Sequence, residues 1–210
     1  MALTLFHSPG TRSIRTLWLL EEMGLPYELK SIKYDGAYFA SDEFRAINPM
    51  GTVPALYDDD TLIVESGATL EYLLGRYGPS PLGVTADNAE YGAYLQWLHM
   101  AESGMANYIA VSFGHSSGLD KYRVTDEFDG YCRYQIVKAL EMLETQLEHR
   151  EYILQSGFSA ADISMGYTLF FAQACTGVKF TERVGDYFKR LKSRPAFQKA
   201  LSDVRPPKSS

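Results

Sequence analysis

The sequence predicts a small mixed α/β domain followed by an all-helical domain. Strand-like and helix-like segments alternate over the first 80 residues, in the order βαβαββα. A boundary rich in Gly and Pro follows at residues 78–83, and every long periodic segment after it is helical. We therefore place the first domain at residues 1–79 and the second at residues 86–204.

Composition excludes several classes of protein. The 210 residues are 46% hydrophobic and 22% charged, which is typical of globular chains and not of disordered ones. A net charge of −6 without basic blocks argues against nucleic acid as a partner. No apolar run approaches the ~18 residues of a membrane span, and the start lacks a signal-peptide pattern, so we expect no membrane partner.

The two cysteines point to a reducing compartment. Cys132 and Cys175 form no CxxC motif, so a disulfide framework or a cysteine zinc site is not expected. The four histidines show no metal-ligand spacing either. We therefore expect a cytoplasmic protein without a metal.

Local signals locate the elements of the first domain. Gly24 and Pro26 end the first helix, and a strand–helix–strand start implies a right-handed crossover with a parallel strand pair. The predicted strands are residues 3–6, 27–33, 54–57 and 61–64, and the predicted helices are residues 11–24, one short helix within 35–46, and 66 to 75 or 77.

The second domain carries helical periodicity almost throughout. Its predicted helices are residues 88–111, 122–148, 159–174, 184–191 and 195–201. Residues 113–119 are predicted to be a loop, and residues 205–210 are expected to fray. A GxSxG pattern at residues 114–118 is not interpreted as a hydrolase nucleophile, because no strand precedes it.

The turn after the first strand is the first candidate site. Ser8, Thr11, Arg12 and Ser13 place three hydroxyls and a guanidinium at the start of a helix. Backbone N–H groups there stabilise an anion such as a thiolate, a carboxylate or a phosphate. An ordinary helix cap uses the same residue types, so the turn alone leaves both interpretations open.

Two further motifs could bind an extended zwitterionic ligand. Pro54 begins a strand, so its peptide bond is a candidate for the cis form, and Val53 would offer its backbone N–H and C=O to the ligand. Glu65 and Ser66 stand where a strand meets a helix, where they can bind an ammonium and a carboxylate. A tight turn and a helix cap are the ordinary alternatives.

Together the three motifs resemble the glutathione transferase family across the whole chain. The matching stretches are LFHSPGTRSIR (residues 5–15), LLEEMGLPYEL (19–29), NPMGTVPAL (48–56) and ES (65–66). The resemblance implies a thioredoxin-like first domain, a helical second domain and a homodimer. It also implies that Pro54 is cis and that glutathione binds through Thr52, Val53, Pro54, Glu65 and Ser66.

The residue types at the first turn suggest how the thiol of glutathione would be activated. The position of the family's catalytic tyrosine is occupied by Phe6, and no cysteine precedes Cys132. A serine- or threonine-type site is therefore implied, with Thr11 as first choice and Ser8, Arg12 and Ser13 as alternates. A hydroxyl that donates to sulfur lowers the thiol pKa.

The helical domain carries an independent signature of the same family. Ser159 and Asp162 form a capping box, and Phe158 with Ile163 forms a hydrophobic staple. Aromatic residues of this domain could line a site for a small hydrophobic electrophile: Tyr108, Phe113, Tyr167 and Phe170.

The resemblance implies a detoxifying transferase in which the thiolate attacks a hydrophobic electrophile. The alternatives are a glutathione-dependent isomerase, dehalogenase, peroxidase or ether-cleaving enzyme, or a non-catalytic binding protein.

Overall fold

The computed structural model describes residues 2–202, which form two compact units. The first comprises residues 2–83 and 193–202, and the second is Val84–Lys192. The boundary at residue 83 lies between the two limits placed from the sequence, whereas residues 193–202 join the first unit and not the helical one. The predicted fraying of residues 205–210 lies outside the described residues.

A four-stranded mixed sheet forms the centre of the first unit. Its strand order is β2-β1-β3-β4, with β1 parallel to β2 and the other neighbours antiparallel. This arrangement confirms the predicted parallel pair of β1 and β2 and the predicted hairpin of β3 and β4. The strands are β1 (Leu3–His7), β2 (Tyr27–Ser31), β3 (Ala55–Asp58) and β4 (Thr61–Val64).

Within residues 2–202, five helices belong to the same unit as this sheet. Gly24 ends the first of them at φ +63°, as its position predicted. Two short helices occupy the segment in which one was expected, because Asp35 and Ser41 each accept a hydrogen bond from a backbone N–H and start a separate helix. The helices are α1 (Ser13–Met23), α2 (Gly36–Phe39), α3 (Asp42–Ile47), α4 (Ser66–Tyr77) and α10 (Pro195–Ser202).

The last helix, α10, belongs to the first unit because it packs on α1. The rings of Trp18 and Phe197 lie 4.2 Å apart between centroids, and both side chains are fully buried. Arg194 donates to both carboxylate oxygens of Glu22, at 2.6 and 2.7 Å. Helical periodicity predicts that this segment is a helix, but it does not say which core buries its apolar face.

The second unit is entirely helical. A π-helical turn at Ala101–Ala106 joins α5 (Tyr91–Met100) to α6 (Asn107–Ser116), so the three segments form one uninterrupted helix. The predicted loop at residues 113–119 is wrong for residues 113–116, which continue α6. Gly114 lies there against Tyr122, where an added Cβ would be 3.1 Å from the tyrosine Cβ. The helices are α5 (Tyr91–Met100), α6 (Asn107–Ser116), α7 (Asp126–Gln146), α8 (Ala160–Thr176) and α9 (Glu182–Lys192).

The capping box predicted at the start of α8 is present. Asp162 is fully buried, and its Oδ2 accepts from the backbone N–H of Ser159 at 2.8 Å. Its Oδ1 accepts from Ile153 N and from Tyr187 Oη, both at 2.9 Å. The carboxylate therefore ties three segments of the unit to one helix end. Across residues 2–202, no helix combines the length and hydropathy that a membrane span requires.

Candidate functional site in the first unit

The register of the sheet brings the three predicted motifs to one end of the first unit. Phe6 pairs with Ala55, and Ala55 pairs with Val64. The end of β1, the start of β3 and the end of β4 therefore coincide. The turn that follows His7, the Val53–Pro54 segment and the Glu65-Ser66 pair all emerge at this edge.

The turn between β1 and α1 contains a chain of hydrogen-bonded side chains. Thr11 Oγ1 donates to the carbonyl oxygen of Ser8 at 2.7 Å and lies 2.7 Å from Ser13 Oγ. Ser13 Oγ in turn lies 2.8 Å from Nδ1 of His7. Since a hydroxyl has one proton, Ser13 donates to Thr11 whenever Thr11 donates to Ser8. The chain then runs from His7 through Ser13 to Thr11.

Exposure distinguishes the members of this chain. His7, Ser8 and Ser13 are fully buried, whereas Thr11 and Arg12 are partly exposed. Ser8 Oγ finds no hydrogen-bond partner among the described residues. The Arg12 side chain does not cap α1, whereas Thr11 Oγ1 accepts from the backbone N–H of Ser13 at 3.4 Å, which is a contact that an ordinary helix cap would also make. Thr11 is the hydroxyl of the chain that a ligand can reach.

His7 is a site residue that the sequence analysis missed. It is the last residue of β1, and it contacts Ser13, which begins α1. The signal available in the sequence was a polar, titratable residue at the end of an apolar strand, directly before a turn rich in hydroxyls. Its partner six residues away becomes visible only when the turn is folded.

The Val53–Pro54 peptide bond is cis, as predicted. A buried Asn48 holds the preceding loop, because its Nδ2 donates to Thr52 O at 2.6 Å. Gly51 has φ +63°, and an added Cβ would lie 2.5 Å from the carbonyl oxygen of Phe39, so only glycine fits. Among the described residues, neither the N–H nor the C=O of Val53 makes a hydrogen bond, which leaves both groups available to an extended ligand.

Glu65 and Ser66 are neighbours at the start of α4, but Glu65 is exposed to solvent and Ser66 is buried. Glu65 is an exposed non-glycine residue with φ +69°, a conformation that costs about 1–3 kcal/mol and is typical of functional positions. Its carboxylate forms no ion pair with any residue in the range 2–202. Ser66 is buried and accepts a hydrogen bond from Arg15 at 2.9 Å.

The two cysteines lie outside this site. Both are in the second unit, in α7 and α8. Burial raises the pKa of the Cys132 thiol, with a smaller contribution from Asp129, and burial also raises that of Cys175. Neither thiol is therefore activated. Within residues 2–202 no cluster of three or more His, Cys, Asp or Glu residues could hold a metal ion.

The aromatic residues predicted to line an electrophile site differ in how far they are exposed to solvent. Tyr167 is 1% exposed and stacks on Phe171 at 5.9 Å, so it belongs to the core of the helical unit. Phe113 is 46% exposed. Tyr108 and Phe170 are half-buried on α6 and α8.

Comparison with known proteins identifies the family. The glutathione S-transferase N-terminal domain matches residues 1–75, and the glutathione S-transferase C-terminal domain matches residues 123–197. The chain belongs to the glutathione transferase family. That the site is of the serine or threonine type is a prediction from the sequence.

Individual members of the glutathione transferase family align over nearly the whole chain. Glutathione S-transferase 3 of Schizosaccharomyces pombe is 29% identical, covering 96% of this chain and 88% of the relative. Glutathione S-transferase GstA of Escherichia coli O157:H7 is 28% identical, covering 94% and 96%. A glutathione transferase structure from Phanerochaete chrysosporium, in complex with oxidised glutathione, is 25% identical with a TM-score of 0.82, covering 96% of both chains. The thioredoxin-like first domain and helical second domain are thereby confirmed.

Proposed function

We propose that this glutathione transferase binds glutathione at the edge of its first unit and activates the thiol for attack on a hydrophobic electrophile. The proposal rests on two groups that lie at the same end of the sheet. They are the backbone N–H and C=O of Val53, which make no hydrogen bond within residues 2–202, and the carboxylate of Glu65, which makes no ion pair there. Glutathione is an extended tripeptide with an ammonium and a carboxylate at its γ-glutamyl end. Those are the groups that such an edge recognises.

In this proposal each binding residue has a distinct task. Val53 pairs with the cysteinyl backbone of glutathione, and Thr52 and Pro54 hold Val53 in its extended position. Glu65 binds the ammonium of the γ-glutamyl group. Ser66 and the first N–H groups of α4 bind its carboxylate, because the helix N-terminus carries partial positive charge.

The thiol of the bound tripeptide is proposed to meet Thr11. On binding, the Thr11 proton turns from the Ser8 carbonyl to the sulfur, while Ser13 continues to donate to Thr11. When Nδ1 of His7 carries a proton, it donates that proton to Ser13 Oγ. Ser13 must then donate its own proton to Thr11 and not to His7. The thiolate is stabilised relative to the thiol, and Arg12 adds a positive charge at the same turn.

The thiol proton is released to solvent. The thiolate then forms a carbon–sulfur bond, either by expelling a leaving group such as halide from a halogenated aromatic or by adding to the double bond of an enone, whose α-carbon then takes up a proton from solvent.

Thr11→Val is expected to raise the pKa of the enzyme-bound thiol by about 1–2 units, since one hydroxyl donor to a thiolate contributes about 1–3 kcal/mol. The substitution removes the hydroxyl and nearly preserves volume. Ultraviolet absorbance of the bound thiolate against pH measures the shift, and the pH–rate profile should move to higher pH with it.

Ser8→Ala and Ser13→Ala are the matched comparisons, each removing one hydroxyl of the same turn. Ser13→Ala should shift the thiol pKa less than Thr11→Val, because Ser13 acts through Thr11. A larger shift from either serine variant would assign the role to that serine. No shift in any of the three would leave Arg12 and the backbone dipoles to hold the thiolate.

A panel of electrophiles assayed with glutathione tests the reaction class. Conjugation of halogenated aromatics or enones supports the transferase. If the protein instead catalyses isomerisation, dehalogenation, peroxide reduction or ether cleavage without conjugation, the corresponding alternative activity would replace the transferase assignment. Binding of glutathione with no turnover of any substrate would identify a binding protein. The cytoplasmic location stays a prediction of the sequence.

We further propose that the protein is a homodimer that buries an aromatic face of its helical unit. Phe128, Tyr131 and Tyr134 on α7 are 47%, 47% and 59% exposed, and the Tyr108 ring meets Tyr131 edge-on at 6.0 Å. Exposed aromatic patches of this kind mark interaction surfaces, and a two-fold contact pairs the same patch on both copies.

Tyr131→Glu should convert the dimer to a monomer, because it places a charge at the centre of this aromatic face in both copies. Light scattering measures the mass in solution. A wild-type protein that is monomeric would contradict the proposal.

A further inference from the structure

His7 begins the hydrogen-bonded chain of side chains at the turn after β1, two contacts away from the hydroxyl that a ligand can reach. Its Nδ1 lies 2.8 Å from Ser13 Oγ, which in turn lies 2.7 Å from Thr11 Oγ1. His7 and Ser13 are fully buried, whereas Thr11 is partly exposed. The contact between His7 and Ser13 is therefore shielded from bulk water, and a proton of one of the two side chains must satisfy it.

The short contacts of this turn determine which side chain supplies that proton. Thr11 Oγ1 lies 2.7 Å from the carbonyl oxygen of Ser8, which only accepts, so the Thr11 proton lies in that contact. The contact between Ser13 and Thr11 then contains the Ser13 proton. The remaining contact, between Ser13 and His7, requires a proton on Nδ1 of the imidazole. His7 is therefore a donor through Nδ1.

Donation by His7 leaves the oxygen of Ser13 unable to accept a further proton. A hydroxyl oxygen accepts through two lone pairs. One accepts the backbone N–H of Ser8 at 3.2 Å, and the other accepts Nδ1–H of His7. Thr11 therefore cannot donate to Ser13, and when its proton leaves the Ser8 carbonyl it is available to a ligand.

A side chain at position 7 that accepts would reverse the hydrogen-bonded chain. Ser13 would then donate to position 7, and its vacated lone pair would accept the proton of Thr11 across the 2.7 Å contact. The Thr11 oxygen could then only accept from the thiol, which stabilises the neutral form and raises the thiol pKa. The Ser8 carbonyl, 3.3 Å from Ser13 Oγ, is a longer alternative acceptor for Ser13.

We infer that His7 is a positioning residue whose Nδ1–H reserves the proton of Thr11 for the thiol of glutathione. This inference rests on the proposed function. His7 does not touch the ligand in this role, because it acts through Ser13. Whether the side chain at the end of β1 donates or accepts thus decides whether the Thr11 hydroxyl can activate the thiol.

The protonated nitrogen of His7 can be identified directly in the wild-type protein. Long-range ¹H–¹⁵N NMR spectra of the imidazole rings distinguish a protonated Nδ1 from an unprotonated one. The signals that disappear in His7→Asn assign His7 among the four histidines. We expect a proton on Nδ1 in the free protein and with glutathione bound. A neutral ring protonated only at Nε2 would overturn the inference.

Two uncharged substitutions separate donation by His7 from the space that its side chain fills. His7→Leu fills the site without a donor, so the pKa of the enzyme-bound thiol should rise by about 0.5–1 unit, the range for one neutral hydrogen bond. His7→Asn supplies an amide N–H at the same distance from the main chain as Nδ1–H and should return the thiol pKa to the wild-type value. Ultraviolet absorbance of the bound thiolate against pH measures both.

A double variant and a matched histidine control complete the test. His7→Leu combined with Thr11→Val should give a thiol pKa no higher than Thr11→Val alone, because His7 acts only through Thr11. His149 lies in the second unit with its side chain 93% exposed, and asparagine tolerates its φ of +60°. His149→Asn should therefore leave the thiol pKa unchanged.

An unchanged thiol pKa in His7→Leu, or a further rise in the double variant, would overturn the role of His7 and leave the proposed function intact. If His7→Leu does not fold, as judged by circular dichroism, the NMR spectrum of the wild-type protein decides. No shift in Thr11→Val itself would overturn activation by Thr11 and the inference with it. A wild-type protein that does not bind glutathione would overturn both the inference and the proposed function.

Discussion

Replacing Glu65 by alanine is expected to weaken glutathione binding about 10- to 100-fold, the effect of removing a charge-assisted contact. In the proposed site the ligand ammonium then loses the counter-charge that the Glu65 carboxylate supplies. Alanine at φ +69° bears the same backbone strain as glutamate, so the loss reports the carboxylate and not a relaxed helix start. Isothermal calorimetry with glutathione measures it.

Asp60→Ala is the matched control for this experiment. Asp60 is an exposed acid in the turn of the same hairpin, but the pairing of Asp58 with Thr61 puts that turn at the opposite end of the strands. The control should bind glutathione as the wild type does. An unchanged affinity in Glu65→Ala would show that the ammonium is bound elsewhere.

Truncating Phe197 to alanine should lower the free energy of unfolding of the first unit by about 3–5 kcal/mol, as for other buried phenylalanines. The side chain is fully buried, and its ring packs at 4.2 Å on Trp18, so the substitution leaves a cavity between α10 and α1. Denaturant unfolding followed by tryptophan fluorescence measures the loss, since Trp18 reports directly on this contact.

Tyr34→Ala provides the comparison for the stability measurement. Tyr34 is also an aromatic residue of the first unit, but it is 66% exposed, so its removal should cost about 1 kcal/mol or less. If Phe197→Ala costs no more than this control, α10 does not contribute to the core of the first unit. A large loss would establish that residues 193–202 are required for the glutathione-binding unit to be stable.

Signals that act within a few residues determined much of the fold and of the site. Gly24 ends α1 and the capping box at Ser159 and Asp162 starts α8, as the local patterns predicted. The Val53–Pro54 bond is cis, for which the local pattern made it a candidate and which the family resemblance implied. The order of strands and helices in the first domain also followed from periodicity and turn residues. These features depend on backbone dihedrals and short-range hydrogen bonds, which the identity of neighbouring residues controls.

Tertiary structure alone decided the features that depend on distant partners. The helix at residues 195–201 was predictable, but its burial against Trp18 was not, because periodicity specifies an apolar face and not the surface that covers it. Residues 113–116 are helical because packing with neighbouring segments outweighs weak local propensity. The contacts of His7 with Ser13 and of Arg15 with Ser66 join residues separated by 6 and 51 positions. No local pattern encodes such pairs, since they form only when strand register and helix packing bring the side chains together.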